Sequence, residues 1–523
     1  MADRPVAPSR TLAGGPYPVG AGSAMRTFAW VVLALTAGRL IVLIATPLSL
    51  HPDEAQYWTW SRGLDWGYFS KPPLVAWAIA ATTALFGNDP WAVRLSAPFA
   101  HAGAACALFA LGRRMYGDAA GWWAGVSWLL IPGVWLSSLL ITTDALLLPL
   151  WAAALFTGWR WVETRTLRWA LLTGALVGFG ALAKYAMLYF PICAALAAVW
   201  SPTVRRAIFS THGLAALGAA GLVLAPNLAW NAAHDFETVA HTAANADWRG
   251  DLLNFDQLGA FLGDQFAVAG VLAAGLVWLI VEFARGLRPL DDRARFLLAF
   301  VAPPLILIIV QALISRAHGN WAASAYPAAI VLIAGRFAGT RFIRWANGAH
   351  VALFALFLGL ALAPAAAFRA PLIGRGIENG LKRMRAWDET ADLVSGRARA
   401  AAAAGAPYSA ILVDHRHMYC ELLYNLRDEK GLPPIRMYVL REAAGNQAEA
   451  AAPMTADLGA RVLVVHMSPR YEAFVARDFT QFETTERTEL PLGPRKTRAL
   501  AFSEASGFAP VPRTPEFLAE VGE

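Results

Sequence analysis

Apolar stretches about as long as a bilayer-crossing helix alternate with short polar segments through the first two thirds of the chain. A helix spanning the hydrocarbon core takes about 20 mostly apolar residues. Stretches of this kind lie at 27–48, 91–112, 119–137, 144–160, 169–186, 186–200, 212–230, 265–285, 296–314, 321–338 and 346–366. They predict about eleven transmembrane helices. The two flanking Lys184 are short. The run Leu74 to Phe86 is shorter still and reads as a re-entrant or interfacial helix after the first loop.

The pattern changes after about Ala367, where charges recur and no further span follows. Tyr408 to Asp414, Ile435 to Leu440 and Arg461 to His466 read as buried strands, and His415 to Arg427 as a helix between them. The expectation is a small α/β domain over 367–523, with the alanine-rich run Ala398 to Ala406 as a leading helix end or linker. Residues 1–25 are rich in Pro, Gly and Ala and lack a signal-peptide core, so they read as a disordered cytoplasmic leader. The unit between, 26–366, holds the spans, with a first loop over 49–90.

Composition supports a membrane class. Hydrophobic residues make up 57% of the 523 and charged residues 15%, against about 25% charged in soluble domains. Mean hydropathy is +0.44. The net charge of +7 sits largely in short loops between spans, so it reports topology and gives no reason to expect nucleic acid. Basic loops around Arg113, Arg160, Arg205, Arg288 and Arg341 should be cytoplasmic. The intervening loops and, with an odd span count, the C-terminal domain should then be periplasmic in a bacterial inner membrane. The three cysteines, Cys106, Cys193 and Cys420, form no disulfide framework or metal-ligand pattern.

The polar residues worth chemical attention fall on one side of that topology. The first loop carries Asp53 and Glu54, Tyr57, Trp58, Trp60, Trp66 and Tyr68, and Lys71 before Pro72-Pro73. Adjacent acids, aromatic rings and a cation are what sugar transfer from an anionic carrier needs. The aromatics alone also suit an interfacial belt. Arg94 begins the second span. Asp144 follows Thr142 and Thr143 as a cavity-lining acid or a first-turn helix acid. Lys184, followed by Tyr185, either faces a polar cavity or snorkels to the interface. An exposed charge at mid-bilayer would cost roughly 2.5–3.5 kcal/mol. Asn227, Asn231, His234 and His241 belong to the next loop, and Arg316, His318 and Asn320 to the third. His234 and His241 are either metal ligands or solvated loop histidines, and their spacing fits no common metal motif. Arg316 and His318 meet either a phosphate or lipid headgroups. No cofactor is called for, and a divalent ion is not indicated.

Asp53-Glu54-Ala55-x-Tyr57-Trp58 followed by Trp66-Gly67-Tyr68-Phe69-x-x-Pro72-Pro73-Leu74 resembles the first periplasmic loop of bacterial relatives of the protein O-mannosyltransferases. That group includes the lipid A aminoarabinose transferase and the rhizobial lipopolysaccharide galacturonosyltransferases. Thr143-Asp144-Ala145-Leu146, Gly180-x-x-x-Lys184-Tyr185, Pro226-Asn227-x-x-Trp230-Asn231 and Asn320-Trp321-x-x-x-x-Tyr326-Pro327 extend the resemblance over 26–366. It implies a GT-C fold and transfer of a sugar from a polyprenyl phosphate donor to a lipid, glycan or protein acceptor at the membrane, with inversion at the anomeric centre. By the same resemblance Asp53 is the candidate base, with Glu54 supporting it, and Lys71, Lys184 and Arg316 are candidates for the donor phosphate. Lys71 departs from relatives with His or Asp at that position and fits the galacturonosyltransferase-like subset. The competing reading is a transporter or flippase of a lipid-linked sugar, although no duplicated halves of the kind many transporters show are visible. A non-catalytic relative would not need Asp53, Glu54 and Lys184 together.

Overall fold

The computed structural model describes residues 21–244, 253–370, 373–467 and 469–521. The first twenty residues of the expected leader, and part of the loop between His234 and Gln265, lie outside them. A helix already begins at Ala21, inside the expected leader, and runs to Ala45.

The chain is mostly helical, with several apolar spans. Among the described residues, six helices are long and apolar enough to cross a membrane by themselves: Ser23–Ala45, Pro90–Tyr116, Thr143–Thr164, Thr211–Ala233, Asp292–Ile314 and Arg341–Leu362. Phe255–Ala269 and Leu272–Ala284 pass together but meet at a bend of 113°. Gly270 sits at that bend with φ +60°, a left-handed conformation that favours glycine. Other apolar stretches are interrupted for local reasons. Pro132, which has no N–H to donate, separates Asp118–Leu130 from Pro132–Ser137. Leu167–Ala183 ends where Lys184 turns extended (φ −161°, ψ 134°), and a short 3₁₀ turn precedes Tyr189–Trp200. The stretch at 321–338 opens as a 3₁₀ segment, Gly319–Ala325, before Tyr326–Phe337. Irregular backbone of this kind is tolerated at membrane depth where it is buried in protein or lines a cavity.

The first loop is largely helical. His51 caps the helix Pro52–Trp60: its ring accepts from the Asp53 N–H at 3.2 Å, and the Glu54 carboxylate accepts from the His51 N–H at 2.9 Å. This is a capping box with Pro at the first helical position, an arrangement that satisfies the otherwise unpaired first-turn donors. Leu74–Phe86 and Pro90–Arg94 complete the segment. Trp60 stacks on Tyr68 with ring centroids 4.7 Å apart and planes within 3°. The Tyr68 hydroxyl donates to the carbonyls of Trp60 and Gly63, at 3.1 Å each. These rings stiffen the segment by packing on one another.

In the C-terminal part, β1 (Ala410–Val413), β2 (Ile435–Met437), β3 (Val462–His466), β4 (Phe479–Pro491) and β5 (Thr497–Phe508) form one sheet in the order β2-β1-β3-β5-β4. β1 pairs in parallel with both β2 and β3. β5 is antiparallel to β3 and to β4. The β4–β5 hairpin has no counterpart in the sequence reading, because one of its faces is polar and exposed. β1 is continuously apolar and buried on both faces, as parallel strands are. The helix expected over 415–427 runs Arg416–Asn425.

This sheet unit rests on the first loop. The Ser49 N–H donates to the Met384 carbonyl at 3.1 Å, the Phe69 N–H to Gln447 Oε1 at 2.9 Å, and the Tyr424 hydroxyl to the Asn88 carbonyl at 2.7 Å. Trp58 meets Tyr424 edge-on at 5.1 Å and donates from its indole N–H to Asn88 at 2.8 Å.

Candidate active site

A cavity of about 870 Å³ opens between the first loop, the breaks in the spans and the C-terminal sheet unit. Asp53, Gln56, Tyr57 and Lys71 from the first loop reach it, as do Asp144, Lys184, His241, Asp264, His318, Asn320 and Arg416. Each arrives for a local reason. Asp53 lies in the first turn of the capped helix, and its side chain is 43% exposed. Asp144 lies in the first turn of Thr143–Thr164, whose cap is Thr142, accepting from the Ala145 N–H at 3.2 Å. Lys184 stands where its helix has ended. His318 and Asn320 flank the start of the 3₁₀ segment.

Lys184 Nζ lies 2.8 and 3.0 Å from the two Asp144 oxygens. Asn320 Nδ2 donates to the same carboxylate at 2.8 Å. A half-buried lysine is thereby neutralised and fixed at the cavity wall. Lys71 is different: no carboxylate among the described residues lies within ion-pair distance of it. Burial and the nearby Lys184 charge lower its pKa, with Asp53 and Asp144 opposing that shift. A cation held without a counter-ion in a partly desolvated cavity is a binding position for an anion. Burial, then Lys71 and Arg416, likewise lower the pKa of His241. The phenol of Tyr57 is raised far above its ordinary range by burial and by the neighbouring Asp53 charge, so it stays neutral and offers a hydroxyl.

Glu54 does not reach this cavity. It is 1% exposed and accepts from Arg94 (Nη2 at 2.7 Å, Nε at 3.0 and 3.1 Å), from the Ile141 N–H at 2.8 Å and from the His51 N–H. Arg94 also donates to the Ser49 carbonyl at 2.8 Å. Glu54 and Arg94 therefore tie the first loop to the bundle. Tyr185, Asn227 and Asn231 form a separate cluster: the Tyr185 hydroxyl donates to Asn227 Oδ1 at 2.9 Å and accepts from Asn231 at 3.0 Å. Asn227 Nδ2 in turn donates to the Trp66 carbonyl at 2.6 Å. Trp66 packs edge-on against Trp77 at 5.1 Å, and Tyr68 packs on Trp60. Arg316 is exposed and is not among the cavity residues. Among the described residues no three His, Cys, Asp or Glu side chains cluster as a metal-binding set.

Gln56, Asp264 and Arg416 are cavity residues that the sequence reading did not single out as chemistry. Gln56 lies inside the motif that drew attention to Asp53, three places along the same helix, a spacing that returns to one face. Asp264 lies on the short helix before the bend. Arg416 belongs to the C-terminal part and bonds Gln56 Oε1 while standing 3.5 Å from Asp53 Oδ1. Nothing in its local pattern marks it.

A helical bundle with several apolar spans, and a cavity that gathers carboxylates and cations beside a C-terminal sheet unit, is the architecture of a GT-C glycosyltransferase. Residues 70–230 match the family described as dolichyl-phosphate-mannose-protein mannosyltransferase. Lipid A galacturonosyltransferase RgtD of Rhizobium johnstonii is 34% identical over 402 residues, which is 76% of this chain and 82% of RgtD. The chain belongs to this family of membrane glycosyltransferases. Its fold is shared with ArnT from Cupriavidus metallidurans. The match to the undecaprenyl phosphate-bound ArnT structure has a TM-score of 0.61 at 16% identity and covers 93% of this chain and 98% of ArnT. The apo form matches with a TM-score of 0.57 at 15% identity over the same shares.

Proposed function

We propose that the protein transfers a hexuronosyl residue of the galacturonosyl class from a polyprenyl phosphate carrier to lipid A or a related envelope acceptor, with inversion, at the periplasmic face of the inner membrane. The observation that carries this reading is the cavity shared by Asp53, Lys71 and the Asp144–Lys184 pair. The similarity to RgtD, a lipid A galacturonosyltransferase, and the presence of Lys71 support the donor class. The carrier is the one bound to the fold relative ArnT. The N-terminus and basic loops would be cytoplasmic, with about eleven spans over 26–366 and a periplasmic α/β unit over 367–523.

In this mechanism the Asp53 carboxylate accepts the proton of the acceptor hydroxyl as its oxygen attacks the anomeric carbon. The new C–O bond forms as the bond from that carbon to the carrier phosphate oxygen breaks, and the electron pair leaves on the phosphate. Lys71, the cavity cation without a carboxylate partner among the described residues, stabilises the charge that develops there. General-base assistance of this kind contributes about 10²–10⁴-fold. An acceptor that is itself a phosphate would need no base, and Asp53 would then orient it.

Mass spectrometry of lipid A and core oligosaccharide from cells with and without the gene tests the reading. A uronosyl increment lost in the deletion, restored by the wild type and not by Asp53→Asn, is expected. Unchanged glycans with an altered distribution of the lipid-linked donor across the membrane would instead point to transport.

A further inference from the structure

We propose that Arg416 recognises the sugar's own acid group, its guanidinium holding the carboxylate of the uronosyl donor beside Asp53. The inference rests on the uronosyltransferase reading and adds the residue that would make the enzyme selective for an acidic sugar.

The topology of the C-terminal sheet brings Arg416 to the cavity. β2 and β3 flank β1 on opposite sides and run parallel to it. The chain therefore leaves β1 in one direction and returns on the other side, and such switch points leave a ligand-binding crevice at the carboxyl ends of the strands. At that end Asp414 and His466 are almost fully buried and lie 3.4 Å apart, and Asp414 also accepts from the Met467 N–H at 3.4 Å. His415 then caps the next helix, accepting from the His417 N–H at 3.1 Å. Arg416 is the first residue of that helix, so both sides of its backbone are held. Its side chain leaves the crevice and enters the membrane cavity, where it bonds Gln56 and stands 3.5 Å from Asp53.

The charge arrangement leaves Arg416 with capacity to spare. Its only carboxylate neighbour within ion-pair distance, among the described residues, is Asp53, and both side chains are more than a third exposed. Such a contact contributes little and exchanges easily. A guanidinium presents a planar fork of donors that matches a carboxylate at two points, which an ammonium cannot do. The base must stand within reach of the acceptor hydroxyl, which in turn lies against the anomeric carbon. In a pyranuronosyl ring the carboxylate is carried on the carbon next to the ring oxygen, close to that centre. Lys184 is already neutralised by Asp144, and Lys71 is the cation left for the phosphate. Arg416 beside Asp53 is then the cation left for the sugar.

The test uses the full-length protein in lipid, lipid A as acceptor, and two donors: undecaprenyl phosphate-linked galacturonate and its galactose counterpart, which has a hydroxymethyl group in place of the carboxylate. Losing charge-assisted hydrogen bonds to the sugar should reduce kcat/KM of Arg416→Gln with the uronosyl donor roughly 10–100-fold. Transfer from the neutral donor should fall much less, so that the preference for the uronosyl donor is lost, and Arg416→Lys should recover part of that preference. Matching thermal unfolding of wild type and variants separates this from misfolding. An equal loss on both donors overturns the inference and assigns Arg416 to the shared phosphate or to the support of Asp53. Failure of the wild type to use the uronosyl donor overturns the uronosyltransferase reading itself, and is seen without any variant.

Discussion

Glu54 and Arg94 meet at 2.7 Å with both side chains almost wholly enclosed, while Asp53, one residue earlier, faces the open cavity. Two adjacent acids thus have opposite assignments. The helix turn between them directs one carboxylate inward to the bundle and the other to the substrate space. The first prediction follows from the inward one. Removing one partner of a buried ion pair costs about 3–5 kcal/mol, because the other charge is left uncompensated. Glu54→Gln should therefore lower the unfolding temperature and the yield of folded protein, and Arg94→Met should do the same. Normal stability of both, read by thermal unfolding in detergent, would remove the tethering role.

Asp53→Asn should leave that temperature unchanged, since the side chain is 43% exposed and its ion-pair contacts lie at 3.5 and 3.8 Å. Transfer should fall about 10²–10⁴-fold, the usual contribution of a general base. Single-turnover rates with saturating donor measure this. Unaltered rates would sink the assignment.

Lys71 yields a pH prediction. If Lys71 holds the donor phosphate as proposed, its charged form does so, and donor affinity is present below its pKa and lost as pH rises through it. Burial and Lys184 lower that pKa, so the alkaline limb of kcat/KM should fall below the ordinary lysine value of about 10.4. His241, Asp53, Asp144 and Arg416 share its surroundings. Lys71→Arg should carry the limb to higher pH, because a guanidinium stays protonated there. A limb at the same pH in that variant would assign it to another group.

Gly67 offers a purely steric test. A Cβ at this position would overlap the Trp230 ring, and that ring is itself stacked on His234 with centroids 4.0 Å apart. Gly67→Ala should displace the strand of chain leading to Lys71. Misplacement by about 1 Å can reduce rates about 10²-fold. Wild-type kinetics in Gly67→Ala would show that the loop accommodates the methyl without moving Lys71.

What the sequence made legible was local or compositional. Apolar run length found the six long apolar helices among the described residues, and Thr142 before Asp144 announced its helix cap. The pattern was less informative where backbone leaves the helix, because Pro132 and the extended Lys184 interrupt stretches that remain apolar in composition. His51-Pro52-Asp53-Glu54 read as loop because histidine is an uncommon cap, yet Pro at the first position and Glu at the third were helix-start signals. The β4–β5 hairpin stayed hidden because its outward positions are Thr, Gln, Glu and Arg. Trp60 and Tyr68, open in the sequence to a site role or an interfacial belt, stack on each other. Arg416 and Asp53 are separated by 363 positions, and no local pattern reports so distant a pairing.

That separation also bears on how the protein comes to be made. The ribosome delivers Asp53 early and Arg416 only after the spans have been threaded into the bilayer, so the cavity wall closes last. A chain interrupted before residue 416 would lack Arg416 and with it part of the cavity wall beside Asp53. The order of synthesis thus keeps a half-built transferase from presenting a finished pocket to the lipids around it.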